Sequence, residues 1–262
     1  MLRQIMEIAQ QAGELIRTAA DITPEEKTGF RDLVTQYDRQ VQALLQSKLR
    51  AVLPQAAFLG EEGTFRPDGD ALWEFIVDPI DGTTNFVFGY GVSAVSLALV
   101  YGGAPVLGVV YDPYTDECFA AKRGGGATLN QSPIHVLPAG RLCEVLAAVG
   151  TMPYHKEYAD ELFSLMQKAY LACIDVRRSG AASIDLCSVA SGRVGIYFER
   201  NLSLWDYAAA ALIVEEAGGT VTNWDGTPLT YTGKADIAAS AGTLHPALLA
   251  LLQDGCRPGS QV

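Results

Sequence analysis

The stretch Trp73-Glu74-Phe75-Ile76-Val77-Asp78-Pro79-Ile80-Asp81-Gly82-Thr83-Thr84-Asn85-Phe86 reads as an apolar strand that ends abruptly in two carboxylates, a glycine and two hydroxyls. Pro79 fixes its own φ and has no N–H, so the backbone between the acids is stiff and the Ile80 carbonyl can turn toward the same point as Asp78 and Asp81. Hard oxygen donors on a short rigid turn suit Mg²⁺. Gly82 lets the main chain approach a ligand closely, and the Gly82 and Thr83 amides face an anion if a helical turn starts there. Asp-Gly pairs at strand ends also serve as plain turns, with Asp and Thr satisfying backbone groups, and the stretch alone leaves both readings open.

Further acids sit at other strand exits or helix starts. Glu61 and Glu62 follow Phe58-Leu59-Gly60, and Asp206 lies in Leu204-Trp205-Asp206-Tyr207-Ala208. Each adjoins an apolar segment, where an unpaired charge is costly and a shared cation would relieve the cost.

Working outward, the 262 residues are enough for one large domain or two closely packed halves with a substantial core. Hydrophobic residues make up 49% but are interrupted throughout by charge or glycine, so no stretch spans a bilayer. The N-terminus lacks a signal-peptide pattern, and a cytoplasmic protein without a membrane partner is expected. Five widely spaced cysteines without a Cys-x-x-Cys pair argue against a disulfide framework or a zinc site. The three histidines, His135, His155 and His245, form no ligand pair and read as structural or exposed. A net charge of -11 argues against nucleic acid as the main partner. Bound divalent cations invert the local potential, so clustered acids remain compatible with an anionic substrate.

Helical spacing of apolar residues at Leu2, Ile5, Met6, Ala9, Ala12, Leu15 and Ile16, and again from Val41 to Val52, predicts two opening helices. The polar segment Thr23–Gly29 between them reads as a loop. Strands are predicted at Ala57–Gly60, Leu72–Asp78, Val92–Tyr101 and Val106–Tyr111, the last two joined as a hairpin through Gly102-Gly103-Ala104-Pro105. Gly124-Gly125-Gly126 lacks the Lys-Ser or Lys-Thr of a phosphate loop and reads as a tight turn. From Val145 strands alternate with helices, one of which begins near Trp205 and stops at Gly218-Gly219. The rhythm changes near Arg141. This predicts an N-terminal α+β half (1–140) and a C-terminal α/β half (141–262), with the acids meeting between them and a frayed tail from Asp254.

The chain resembles the inositol monophosphatase family of Mg²⁺-dependent, lithium-sensitive phosphatases. The resemblance rests on Gly60-Glu61-Glu62, on Asp78-Pro79-Ile80-Asp81-Gly82-Thr83-Thr84-Asn85-Phe86, and on Trp205-Asp206-Tyr207-Ala208 continuing to Glu215-Glu216-Ala217-Gly218-Gly219. Weaker agreement runs from Asp32-Leu33-Val34-Thr35 with Asp38 to Asp236-Ile237-Ala238-Ala239-Ser240. It implies a layered αβαβα sandwich, a homodimer and two or three Mg²⁺ ions. The implied metal ligands are Glu61, Asp78, the Ile80 carbonyl, Asp81 and Asp206. Glu61, Thr83 and Asp38 are implied to orient the attacking water, and Asp81, Gly82, Thr83, Ala182, Glu199 and Asp206 to contact substrate.

The implied substrate is inositol monophosphate or a similar small polyol or sugar phosphate. Nucleotide 3′-phosphate, fructose 1,6-bisphosphate and histidinol phosphate are alternatives within the family, and an acidic regulatory binding protein is the alternative outside it. For Glu199, a surface acid paired with Arg200 or Arg193 is an equal reading. Gly91 and Leu204 stand where many members carry proline. A haloacid-dehalogenase-type phosphatase places one residue between its aspartates, whereas Pro79 and Ile80 both intervene here.

Overall fold

Alternation along neighbouring strands sorts the core into three parts, because successive side chains on a strand face opposite sides. In the computed structural model, which describes residues 1–26, 33–65, 71–153 and 155–253, Phe75, Val77, Leu97, Leu99 and Val109 enter one core while Ile76, Ala98, Val100 and Val110 enter another. The strands that carry them are β5 (Trp73–Asp81), β6 (Ala94–Tyr101) and β7 (Ala104–Asp112). With β3 (Ala57–Gly60), β4 (Gly63–Phe65), β8 (Glu117–Lys122), β9 (Ala127–Leu129) and β10 (Ser132–Ile134) they form an eight-stranded sheet ordered β10-β9-β8-β7-β6-β5-β3-β4.

On its outer face lie α1 (Leu2–Arg17) and α2 (Gln36–Val52), whose Ile5, Ala9, Ala12, Val41, Leu45 and Leu49 follow the helical spacing read from sequence. The inner face packs on α5 (Ala182–Ala190) and α6 (Leu204–Glu216). Beyond these helices is a five-stranded sheet ordered β12-β11-β13-β15-β14, built from β11 (Leu146–Val149), β12 (Asp175–Arg177), β13 (Ile196–Leu202), β14 (Gly219–Asn223) and β15 (Ala235–Ala241). Tyr197, Ile237 and Ala239 point back into the central core, and Ile196, Phe198 and Ala238 point out against α4 (Ala159–Ala172) and α7 (His245–Gln253). Two sheets between three helical layers make the αβαβα sandwich. Among the described residues no helix is long and apolar enough to cross a membrane.

Two expectations change. β5 does not stop at Asp78 but continues through Pro79 to Asp81. The segment after α1 is more than a loop, because β1 (Pro24–Glu26) pairs with β2 (Leu33–Thr35) in an antiparallel ribbon; residues 27–29, Asp32 and the tail from 254, with Cys256, lie outside the described residues. The second sheet is mixed: β12, β11 and β13 run parallel, while β15 is antiparallel to β13 and to β14. Gly124–Gly126 is the tight turn expected, and its Gly124 and Gly126 amides donate to the chain's own Glu216 carboxylate, each at 2.8 Å.

Candidate active site

The acidic turn is a β-bulge. On β6, Ser96 faces Asp78 and Ala94 faces Asp81, so three steps along β5 match two along its partner. In a regular strand residues i and i+3 face opposite sides, and the extra residue returns both acids to one side. Ile80 goes to the other side, into the outer core with Val77. Pro79 is tolerated because a bulge has no place for its missing N–H in the ladder. The Ile80 amide donates to Asp78 Oδ1 at 3.0 Å and closes the turn.

Glu61 arrives from the neighbouring strand. β3 runs parallel to β5 with Gly60 beside Val77, and the Glu61 amide extends the ladder by donating to the Val77 carbonyl at 3.2 Å, which sets Glu61 next to Asp78. Asp206 arrives from the central helical layer. It lies in the first turn of α6 and forms a capping box with Ser203, whose amide donates to Asp206 Oδ2 at 2.7 Å. Ser96, opposite Asp78, donates to the Trp205 carbonyl at 3.2 Å and pins that helix start beside the bulge.

Gly82 follows the acids with φ 87°, a left-handed conformation that opens α3 (Thr83–Val87). A Cβ there would also lie 3.1 Å from the Val92 carbonyl and 3.2 Å from the Ala181 Cβ. The Thr83 hydroxyl lies 3.1 Å from Asp38 Oδ1 and 3.0 Å from the Ile80 carbonyl, and donates its one proton to either. Asp38 is buried and fixed by the N-cap of α2, with the Thr35 amide and hydroxyl donating to Oδ2 at 2.7 and 2.6 Å.

Glu61, Asp78, Ile80, Asp81, Gly82, Thr83, Ala182, Glu199 and Asp206 all line one cavity of about 650 Å³. Asp38 stands behind it and reaches it through Thr83. Among the expected substrate contacts, Ala182 has its amide committed to Asp81 Oδ1 at 3.2 Å. Glu199 pairs with neither arginine named for it: Arg193 binds Glu117, and Arg200 binds Glu161 and Asp236. Its carboxylate instead accepts the Tyr197 hydroxyl at 2.6 Å.

Several residues in or behind the cavity wall were not assigned to the site from the sequence. Ser183, at the start of α5, clamps Asp81 with its amide at 2.7 Å and with its hydroxyl. Asp185, Arg178, Lys234 and His155, the last read from sequence only as structural or exposed, line the cavity itself. For Arg178, Ser183 and Asp185 the only local signal is the basic pair Arg177-Arg178 and the Ser179-Gly180 turn ahead of a helix. A second cavity of about 590 Å³, bounded by Arg200, Trp224, Asp225 and Gln253, shares Lys234 but holds none of the four clustered acids.

The electrostatics follow from packing acids together out of water. Burial, then the charges of Glu61, Asp81 and Asp206, push Asp78 well above the usual carboxylate range. Burial, then Asp81 and Glu61, do the same to Asp206. Burial lifts Asp81 to about 6 against the downward pull of its Ser183 bonds, and raises Asp38 against its Thr35 and Thr83 bonds. A donor set made only of carboxylate and carbonyl oxygens, with excess negative charge, fits a hard divalent cation. The cage is not closed in advance, since among the described residues no three acidic, His or Cys side chains already converge at coordinating distance. Asp81 and Asp206 instead spend oxygens on the starts of α5 and α6.

The fold is an αβαβα sandwich with an acid-lined cavity, and comparison with known proteins gives its family. Residues 1–256 match the model of the inositol monophosphatase family, and the chain belongs to it. It is 40% identical over 227 residues to an inositol-1-monophosphatase of Synechocystis, spanning 86% of this chain and 78% of that one. It is 36% identical over 244 residues to Nus factor SuhB of Vibrio cholerae, spanning 92% and 91%. Among solved structures, the SuhB protein of Bartonella henselae superposes with a TM-score of 0.90 at 33% identity, covering 97% of this chain and 98% of that one. The Thermotoga maritima IMPase gives 0.87 at 30% identity, covering 95% of each chain.

The two positions where the resemblance led proline to be expected differ in what they would tolerate. Gly91 has φ 74°, which proline cannot adopt. Leu204 is the first residue of α6, where proline would sacrifice no hydrogen bond.

Proposed function

We propose that this protein is a Mg²⁺-dependent phosphomonoesterase that hydrolyses inositol monophosphate, or a similar small polyol or sugar phosphate, by direct in-line attack of water. The observation that carries this reading is the meeting of four acids from three elements, Glu61 after β3, Asp78 and Asp81 astride the β5 bulge and Asp206 in α6, around one cavity with the start of α3.

Glu61, Asp78, Asp81, Asp206 and the Ile80 carbonyl would hold two Mg²⁺ ions, with Glu61 touching a third; bound there, such ions supply Lewis-acid charge and a water of lowered pKa. The chain's own groups do the rest. A charged acceptor takes the Thr83 proton in preference to a neutral carbonyl, so Thr83 donates to Asp38 and turns a lone pair toward the attacking water. Glu61 accepts that water's other hydrogen bond. The Gly82 and Thr83 amides meet the phosphate oxygens, and Glu199 accepts hydroxyls of the leaving alcohol.

A phosphate-release screen tests the reading with inositol 1-phosphate, fructose 1,6-bisphosphate, a nucleotide 3′-phosphate and histidinol phosphate, each with Mg²⁺ and with EDTA. Mg²⁺-dependent release, greatest for inositol 1-phosphate, is expected. Release from none of the four would favour a binding protein instead. We also infer a homodimer. Phe163, Tyr170, Leu171 and Ile174 are 61–77% exposed on and just after α4, beside edge strand β12, and a second copy of the chain would cover them. Light scattering that gives a monomer mass would remove this inference.

A further inference from the structure

Glu199 is held more tightly than a surface acid needs to be. Tyr197, two residues earlier on β13 and fully buried in the central core, spends its hydroxyl on Glu199 Oε2 at 2.6 Å. The Gly150 amide donates to the Phe198 carbonyl at 3.0 Å and extends the β11–β13 ladder by one residue, which brings Gly150 alongside Glu199. There the missing side chain matters: a Cβ on Gly150 would sit 1.8 Å from Glu199 Cδ. Met152, two residues after Gly150, is buried with φ 44°, a conformation rare for a side chain of its size, and its backbone lowers the cost of charge on the same carboxylate. Arg178 lines the same cavity and attracts Glu199 electrostatically. Among the described arginines it has neither a carboxylate nor a ring partner.

We propose that Tyr197 is a positioning residue: with the close approach at Gly150, its hydroxyl fixes the Glu199 carboxylate so that its remaining lone pairs read the hydroxyl groups of the leaving alcohol. The inference rests on the phosphomonoesterase reading above and assigns how that site recognises a polyol. A buried phenol bonded to a cavity carboxylate and a glycine whose side chain would collide with it are two separate restraints on one group.

The test compares Tyr197→Phe and Gly150→Ala with the unaltered protein on inositol 1-phosphate and on p-nitrophenyl phosphate, whose leaving group offers no alcohol hydroxyls to read. Loss of one oriented hydrogen bond to a charged group predicts a KM for inositol 1-phosphate raised about tenfold with kcat within about threefold. Both constants for p-nitrophenyl phosphate should stay within about threefold. Gly150→Ala, which pushes the carboxylate directly, should act in the same direction and carries the comparison if Tyr197→Phe fails to fold. A KM for inositol 1-phosphate that does not rise, or that rises equally for p-nitrophenyl phosphate, overturns the positioning role. Failure of the unaltered protein to release phosphate from p-nitrophenyl phosphate and from all four substrates of the screen overturns the phosphatase reading itself.

Discussion

Replacing Asp185 by asparagine should remove a pH dependence built into the wall of the cavity. Asp185 is buried in the first turn of α5, and burial first, then the Glu199 and Asp81 charges, lift it from 3.8 to about 7 against hydrogen bonds from Ser179. A group whose folded value exceeds its unfolded value stabilises the fold fully below the unfolded value and loses that contribution as pH rises through the folded one. A rise from 3.8 to about 7, at about 1.4 kcal/mol per unit, amounts to ~4 kcal/mol. Roughly 2.5 kcal/mol of this falls between pH 5 and pH 8. The asparagine side chain in Asp185→Asn is neutral throughout and carries no such slope. Any bond to Ser179 that the variant loses is a constant offset, so the slope is the readout. Urea or thermal denaturation in EDTA at pH 5, 6, 7 and 8 measures it, and the variant should gain on the parent by about 5–10 °C in relative Tm across that range. Parallel profiles for the two proteins would refute the reasoning.

Asp206→Asn keeps a side chain able to cap α6 but removes a charge from the acid cluster; turnover should fall at least ~10²-fold with an unchanged circular dichroism spectrum, and near-normal turnover would contradict the proposed ligand set. Gly82→Ala should cost about 1–2 kcal/mol for the left-handed backbone, lowering Tm, and should slow turnover by displacing the start of α3; a neutral result in a melt and an assay would show that the turn tolerates a side chain. Millimolar Li⁺ is expected to slow Mg²⁺-activated phosphate release, and a rate indifferent to it would remove that parallel with the family alone.

The parts of this molecule set by local rules were legible in the chain itself. Two helical apolar stripes, the alternating strands and the Asp78-to-Phe86 run depend on periodicity and spacing, and Glu61, Asp78, Asp81 and Asp206 stood out because acids beside apolar segments need an explanation. Spacing alone said nothing of the bulge, because an extra residue is recognised only against the partner strand, and that bulge is what turns Asp78 and Asp81 to one side. Ser183 lies 102 residues from the Asp81 it clamps, and no local pattern reports a contact made by docking α5 at the end of β5. The environment of Glu199 was equally hidden: a strand-end acid near two arginines reads as an ion pair until packing gives those arginines to Glu117, Glu161 and Asp236, and gives Glu199 to Tyr197. The chain thus determined the donor chemistry through its residue types, whereas the tertiary structure decided which donors meet, because convergence depends on strand register and on helix starts pinned across sheets rather than on sequence distance.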